Sequence, residues 1–140
     1  MDNLYREFIL EHYREPHNRG VLEPHDLHFA DSNPTCGDEM SMTLRLDDDR
    51  QCVTDVAFDG RGCAISQASA SILTDELRGM TLEELRAIDP RHVVENLGVP
   101  IGPARLKCAL LSYKVLQGAV IGGAARWPEE ADVLAEGSAP

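Results

Sequence analysis

Three cysteines and one aspartate have the side-chain chemistry that a metal site needs. Cys36 and Asp38 flank Gly37 in a turn-prone segment, and Cys63 and Cys108 follow later in the chain. Each of the three cysteines lies where a predicted helix or strand meets a loop. Three thiolates and one carboxylate make four ligands, the number that a tetrahedral zinc ion or an iron–sulfur cluster requires. A zinc or cluster site is therefore the hypothesis that these residues raise.

The competing interpretation is that the three thiols are buried or uninvolved in chemistry, because the paired C-x-x-C spacing of an obvious zinc finger is absent. Two local features favour ligands. Cys36 is flanked by polar and turn-forming residues, so a buried side chain there has nothing to pack against. Gly37, Gly60 and Gly62 leave backbone room for a bound group to approach.

Two strands are predicted between these cysteines. Apolar and polar residues alternate over 40–46, and a second strand is predicted over 52–59 after the polar turn at 47–50. So short a turn predicts antiparallel pairing. Cys52 lies an even number of residues from Val56 and Phe58, so this parity predicts that it is a small buried residue on their face and not a ligand.

Helical periodicity and end signals predict the other elements. Residues 16–39 contain several Pro and Gly residues and no sustained period, which predicts a loop. The helices are predicted over 3–15, from Cys63 to near Gly79, from about Leu82 after a capping box at 81–84, from Pro90 with Asp89 as N-cap, and over 103–121.

Composition limits the functional classes. The 140 residues predict one domain over 1–124 and a flexible tail over 125–140, in which a short helix near 129–135 forms and Trp127 docks onto the body. A net charge of −11 without a basic patch argues against a nucleic-acid partner. No apolar run could span a membrane and no signal peptide begins the chain, which predicts a cytoplasmic protein.

The chain resembles the NifU/IscU/SufU family of iron–sulfur cluster assembly proteins from residue 3 to about 121. The resemblance implies an α+β fold, in which a small antiparallel sheet of about three strands packs against several helices with the site at one end. It rests on Tyr5-Arg6, on the His12–Gly20 block, and on three cysteine blocks, Asn33-Pro34-Thr35-Cys36-Gly37-Asp38, Phe58-Asp59-Gly60-Arg61-Gly62-Cys63-Ala64-Ile65-Ser66 and Pro103-Ala104-Arg105-Leu106-Lys107-Cys108.

Within that family the motifs point in two directions. The separation of Cys63 from Cys108 resembles IscU-type scaffolds and has no room for the extra segment of SufU-type proteins. Lys107, however, stands where scaffolds usually have His, and residues 101–105 replace the Leu-Pro-Pro-Val-Lys stretch that Hsp70-type chaperones recognise. The Ala104–Cys108 and Ala64–Ser66 segments are similar to SufU.

The resemblance thus implies two alternative functions for one set of residues, and the wording of the cysteine motifs favours the SufU-like one. In the SufU-like alternative, Cys36, Asp38, Cys63 and Cys108 hold Zn²⁺, and Cys36 accepts sulfur from a SufS-like cysteine desulfurase. In the IscU-like alternative the same residues hold a nascent [2Fe–2S] cluster that is handed to apo iron–sulfur proteins or downstream assembly factors, and Cys108 is the first sulfur acceptor.

Overall fold

A three-stranded antiparallel sheet organises the computed structural model, which describes residues 2–129 and residue 133. In chain order the elements are α1 (Asp2–Arg14), β1 (Leu27–Asn33), β2 (Asp38–Leu46), β3 (Val53–Arg61), α2 (Ala64–Asp75), α3 (Leu82–Arg86), α4 (Pro90–Glu95) and α5 (Pro103–Ile121). The strand order in the sheet is β1-β2-β3. The helix α5 contacts β1 and β2, α2 contacts β3 and α5, and α1 packs on α2. The predicted α+β class and the three strands are confirmed.

The register of the sheet brings one end of all three strands together. Asn33 at the end of β1 is paired with Asp38 at the start of β2, so residues 34–37 form the tip of a tight hairpin. Glu39 of β2 is paired with Arg61 at the end of β3. The chain therefore leaves β3 at the same end, and enters α2, beside this tip.

An apolar core between the sheet and α5 holds this end of the sheet in place. Met42 and Leu44 of β2 and Phe58 of β3 have no exposed surface, and they belong to the same apolar cluster as Leu110 and Leu116 of α5. Burying a side chain of this size contributes about 1.5–3 kcal/mol. The packing fixes α5 against the sheet, and with it the position of Cys108.

The loop predicted over 16–39 was wrong in part, because it contains β1. This strand alternates between exposed and half-buried residues, but the half-buried positions are Leu27, Phe29 and Asp31. Asp31 lies there because it forms an ion pair with the buried Lys114 of α5. A carboxylate at an inward position interrupts the apolar alternation from which a strand is predicted.

The predicted face of Cys52 was also wrong. The β2–β3 register shifts between Arg45 and Leu46, so that Leu46 is paired with Val53 while Arg45 is paired with Asp55. The extra residue in β3 reverses the parity, as in a β-bulge. Val53 is 2% exposed and takes the core position, whereas Cys52 is half-buried just before the strand.

The end signals predicted for α3, α4 and α5 are confirmed. α5 has the predicted bounds and ends at Gly122, whose positive φ closes the helix. Thr81 and Glu84 form the predicted capping box, and Asp89 caps α4 ahead of Pro90. α2 ends earlier than expected, at Asp75. No helix in the described part of the chain is both long and apolar enough to cross a membrane.

The predicted tail falls partly outside the described residues, which exclude 130–132 and 134–140, and so does most of the predicted helix near 129–135. Of the residues that are described, Trp127 is half-buried and packs against the main core cluster, as predicted, and Val133 is buried in that cluster.

Candidate metal centre

Cys36 lies on the hairpin tip between β1 and β2. The main-chain oxygen of Asn33 accepts hydrogen bonds from the amides of Cys36 (3.2 Å) and Gly37 (2.9 Å). Gly37 has a φ of 74°, a conformation that glycine adopts without steric cost. The turn leaves Cys36 exposed. Of Cys36, Cys63 and Cys108, Cys36 is the one that is exposed as a residue.

Asp38 is the first residue of β2 and is only 1% exposed. Its Oδ1 accepts a hydrogen bond of 3.0 Å from the amide of Cys63, which ties β2 to the start of α2. Its Oδ2 is buried and has no hydrogen-bond partner among the described residues. A buried carboxylate oxygen without a partner is costly, and a bound cation would satisfy it.

Cys63 is the N-cap residue of α2, in an extended conformation, and its side chain makes no capping hydrogen bond. Gly62 lets Asp38 pack closely against the start of α2. A Cβ at this position would lie 2.3 Å from Asp38 Oδ1 and 2.7 Å from Ser66 Oγ. No side chain larger than hydrogen fits between Asp38 and α2.

Cys108 lies in the second turn of α5 and is 3% exposed. Its Sγ is 3.3 Å from Cys36 Sγ. Burial raises the pKa of the Cys108 thiol well above its ordinary value, and the neighbouring Cys36, Cys63 and Asp38 raise it further. Several groups that would each be negative as metal ligands thus lie together, and a bound cation would stabilise their anionic forms.

The structure brings together most of the predicted site directly. One ligand atom each of Cys36, Asp38 and Cys108 lie within 4.8 Å of one another. The thiol of Cys63 is not one of this group of three. Cys63 lies next to the group, because its main-chain amide donates a hydrogen bond to Asp38 and its side chain helps to raise the pKa of the Cys108 thiol. Cys52 is not part of this cluster among the described residues. A donor set of three sulfurs and one oxygen suits Zn²⁺.

A cavity of about 330 Å³ opens beside Cys36, and the sequence did not predict it. The hairpin, the first turns of α5 and the chain after α5 form its walls. They contribute Asn33, Thr35, Cys36, Pro103, Ala104, Leu106, Lys107, Leu110, Trp127 and Pro128.

Trp127 closes this cavity on the side of the C-terminal segment. The ammonium nitrogens of Lys107 and Lys114 lie 5.4 Å and 5.2 Å from the centre of its ring, within the range of a cation–π contact. The ion pair of Lys114 with Asp31 connects the same contact to β1. The wall next to Cys36 is thus held by both α5 and the sheet.

Residues 4–126 match the family described as the NifU-like N terminal domain. The chain belongs to that family. It is therefore a member of an iron–sulfur cluster assembly family.

The relatives of this NifU-like chain include proteins named SufU and proteins named IscU. It is 39% identical over 135 residues to the zinc-dependent sulfurtransferase SufU of Bacillus subtilis, covering 84% of this chain and 89% of the relative. It is 33% identical over 137 residues to the iron–sulfur cluster assembly scaffold protein IscU of Streptococcus pyogenes, covering 86% of this chain and 84% of the relative.

The fold agrees with a solved relative. The crystal structure of a putative iron–sulfur cluster assembly scaffold protein for the SUF system from Fervidobacterium islandicum superposes with a TM-score of 0.69. The two are 28% identical, and the match covers 81% of this chain and 94% of that one.

Proposed function

We propose that this protein is a zinc-dependent sulfur-transfer component of iron–sulfur cluster assembly. Cys36, Asp38, Cys63 and Cys108 are the zinc ligands, and Cys36 accepts sulfur from a SufS-like cysteine desulfurase. The observation that carries the proposal is the buried Asp38 Oδ2, which has no partner among the described residues and lies beside two clustered thiols.

Zn²⁺ bound by these four residues would stabilise the cysteines as thiolates. Asp38 is already held by the Cys63 amide, so its second oxygen is free to act as a ligand without rearrangement of the chain. A carboxylate is a harder and generally weaker ligand than a thiolate, which makes such a site exchangeable.

The exposure of the cysteines distinguishes their roles. Cys36 is exposed on the hairpin tip, whereas Cys108 is 3% exposed inside the fold. In the transfer step the Cys36 thiolate attacks the outer sulfur of the desulfurase persulfide. The new sulfur–sulfur bond forms as the bond within the donor persulfide breaks, and the donor cysteine leaves as a thiolate. No external oxidant or reductant is consumed.

The persulfide on Cys36 then delivers its sulfur to downstream assembly factors or apo iron–sulfur proteins. Four unpaired cysteines fit a reducing cytoplasm. The net charge of −11 fits a protein partner better than a nucleic acid.

The second candidate is an IscU-type scaffold, favoured by the similarity to a relative of that name. A [2Fe–2S] cluster would then be cargo assembled on the same four residues, and Cys108 would take the first sulfur. Cys108 is buried and the pKa of its thiol is raised, so it is a poor nucleophile when no cluster is bound. These two properties favour Cys36 as the first sulfur acceptor.

One preparation separates the two candidates. The purified protein is analysed for zinc, iron and sulfide together with its absorption spectrum, and is then incubated with a cysteine desulfurase and cysteine. We expect one zinc per chain, no colour, and a persulfide that mass spectrometry maps to Cys36. A brown protein that contains iron and sulfide supports the scaffold and contradicts the first proposal.

Single Cys→Ser variants provide the residue-level test. Replacing Cys36, Cys63 or Cys108 lowers both zinc content and sulfur acceptance. The matched control is Cys52→Ser, which changes the same atoms at a half-buried position outside the cluster. Loss of zinc from a folded Cys52→Ser protein would contradict the ligand assignment.

A further inference from the structure

The buried side-chain atoms that lack hydrogen-bond partners are concentrated around the cysteines. Within residues 2–129 and 133 they belong to Asn33, Asp38 and Gln67. Asn33 is paired with Asp38 across the β1–β2 hairpin, and the amide of Gln67 bonds to the carbonyl of Cys63. A zinc ion accounts for Asp38. It leaves Asn33 without a partner.

Asn33 is an unusual buried residue. It is 1% exposed, and both its Oδ1 and its Nδ2 are unpaired. Leaving a buried polar group without a partner is energetically costly. The hairpin turn does not need the carboxamide, because the main-chain oxygen of Asn33 accepts the bonds from Cys36 and Gly37. The side chain therefore has hydrogen-bonding capacity that the fold leaves unused.

Asn33 and Cys36 line the same cavity, of about 330 Å³. Much of the remaining wall is apolar, including Leu106, Leu110 and Trp127. The ammonium of Lys107 lies over the Trp127 ring. An apolar wall suits sulfur, which is large, polarisable and a weak hydrogen-bond acceptor.

We propose that this cavity receives the transferred sulfur atom on Cys36, and that the Asn33 amide Nδ2 donates a hydrogen bond to it. The inference rests on the proposed sulfur-transfer function. Asn33 acts as a positioning residue. Its hydrogen bond stabilises the charge on the outer sulfur of the Cys36 persulfide, and a bond to an ionised acceptor is about twice as strong as a neutral one.

The step conserves atoms and electrons. The Cys36 thiolate bonds to the outer sulfur of the donor persulfide, the donor sulfur–sulfur bond breaks, and the donor cysteine departs as a thiolate. If the outer sulfur carried a proton, that proton passes to solvent when the persulfide ionises. Asn33 exchanges no proton, because its amide only donates a hydrogen bond.

The test uses Asn33→Asp, which keeps the shape of the side chain but replaces the donor with a negative acceptor. Asn33→Ala removes the donor without burying a charge and serves if the first variant does not fold. The control is Gln51→Glu, the same change from amide to carboxylate at an exposed residue before β3, at the other end of the sheet.

Zinc content, melting temperature, and desulfurase turnover as a function of protein concentration are measured for each variant, together with the lifetime of the Cys36 persulfide. We expect full zinc in the Asn33 variants. The maximal turnover should fall at least about tenfold, and the concentration for half-maximal turnover should be unchanged. The persulfide lifetime should shorten. Gln51→Glu should match wild type.

The outcomes separate the two proposals. If wild type acquires no persulfide on Cys36, the sulfur-transfer function itself fails. If wild type acquires it and the zinc-loaded Asn33 variants match wild type in turnover and persulfide lifetime, the role of Asn33 is wrong. Parallel loss of zinc and turnover would instead assign Asn33 to the integrity of the metal site, and would also overturn the inference.

Discussion

Cys36 Sγ and Cys108 Sγ lie 3.3 Å apart, although 72 positions separate the two residues in the chain. This distance is far longer than the roughly 2.05 Å of a disulfide bond, and both cysteines are free. Cys36 is an exposed residue and Cys108 is a buried one. The pair therefore connects the surface of the hairpin tip to the interior of the fold.

Asp38 is expected to control transfer more than metal retention. In Asp38→Asn the remaining oxygen still accepts the bond from the Cys63 amide, but the second position can no longer act as an anionic ligand. Three thiolates still hold zinc, so we expect most of the metal to remain while sulfur transfer slows. Metal stoichiometry and transfer rate are measured on one preparation.

Asp38→Ala is the companion variant, because it also leaves the Cys63 amide unpaired. We expect it to keep much of its zinc and to lose about 1–3 kcal/mol of unfolding free energy in chemical denaturation. Transfer at the wild-type rate with zinc intact would show that Asp38 is not a ligand.

Gly62→Ala should disrupt the centre through sterics alone. The added Cβ would lie 2.3 Å from Asp38 Oδ1, so Asp38 or the start of α2 must move. We expect reduced zinc content and a lower melting temperature. Gly123→Ala is the control, since a Cβ there meets nothing within 4 Å. Equal zinc content in both variants would contradict the close packing of Gly62 on Asp38.

The Asp31–Lys114 ion pair should make the free energy of unfolding depend on pH in the acid range. Burial raises the pKa of Asp31, but the hydrogen bond and charge of Lys114 and the Ser32 amide outweigh this and hold it below its ordinary value of 3.8. The pair's contribution is therefore complete above about pH 4, and is lost as pH falls through the lower pKa of the folded state.

Lys114→Met tests this contribution, because methionine keeps much of the apolar stem. We expect a loss of about 1–2 kcal/mol in unfolding free energy at pH 7, and a difference from wild type that shrinks below pH 4. The control is Arg61→Met, whose pair with Glu39 is exposed on both sides and contributes at most about 1 kcal/mol. A difference that stays constant down to pH 2 would exclude the ion pair as its source.

Trp127 should contribute to both stability and the cavity. It is half-buried against the core, and Trp127→Ala removes that packing along with both lysine contacts, so we expect a loss of about 1–3 kcal/mol. Trp127→Phe keeps a ring and should retain much of the stability.

Deletion of residues 125–140 removes the buried Val133 in addition to Trp127, so we expect a lower melting temperature. An unchanged melting temperature after this deletion would show that the segment does not complete the core.

Much of the fold could be predicted because its signals are local. Alternation in β2 and β3, the capping box of α3 and the period of α5 each depend on neighbours in sequence. β1 could not be predicted, because its inward Asp31 is compatible with burial only once Lys114 packs against it. The face of Cys52 depended on a bulge that the residue pattern does not reveal.

The sequence pointed to the residues of the candidate site, but it did not reveal their geometry. Cys36 and Asp38 are near neighbours, yet Cys63 and Cys108 reach them only through the packing of α2 and α5, and their grouping rested on the family resemblance. The unpaired carboxamide of Asn33 could not be foreseen, because its burial follows from closure of the hairpin beside α5.

Cys36 differs from Cys63 and Cys108 in the kind of structure that holds it. Cys63 begins α2 and Cys108 lies within α5, whereas residues 34–37 belong to no helix or strand. An outward movement of Cys36 would break the two main-chain bonds to the Asn33 oxygen, whereas the residues of the strands and helices would keep their places. The free energy of such a local opening would then be separate from that of global unfolding.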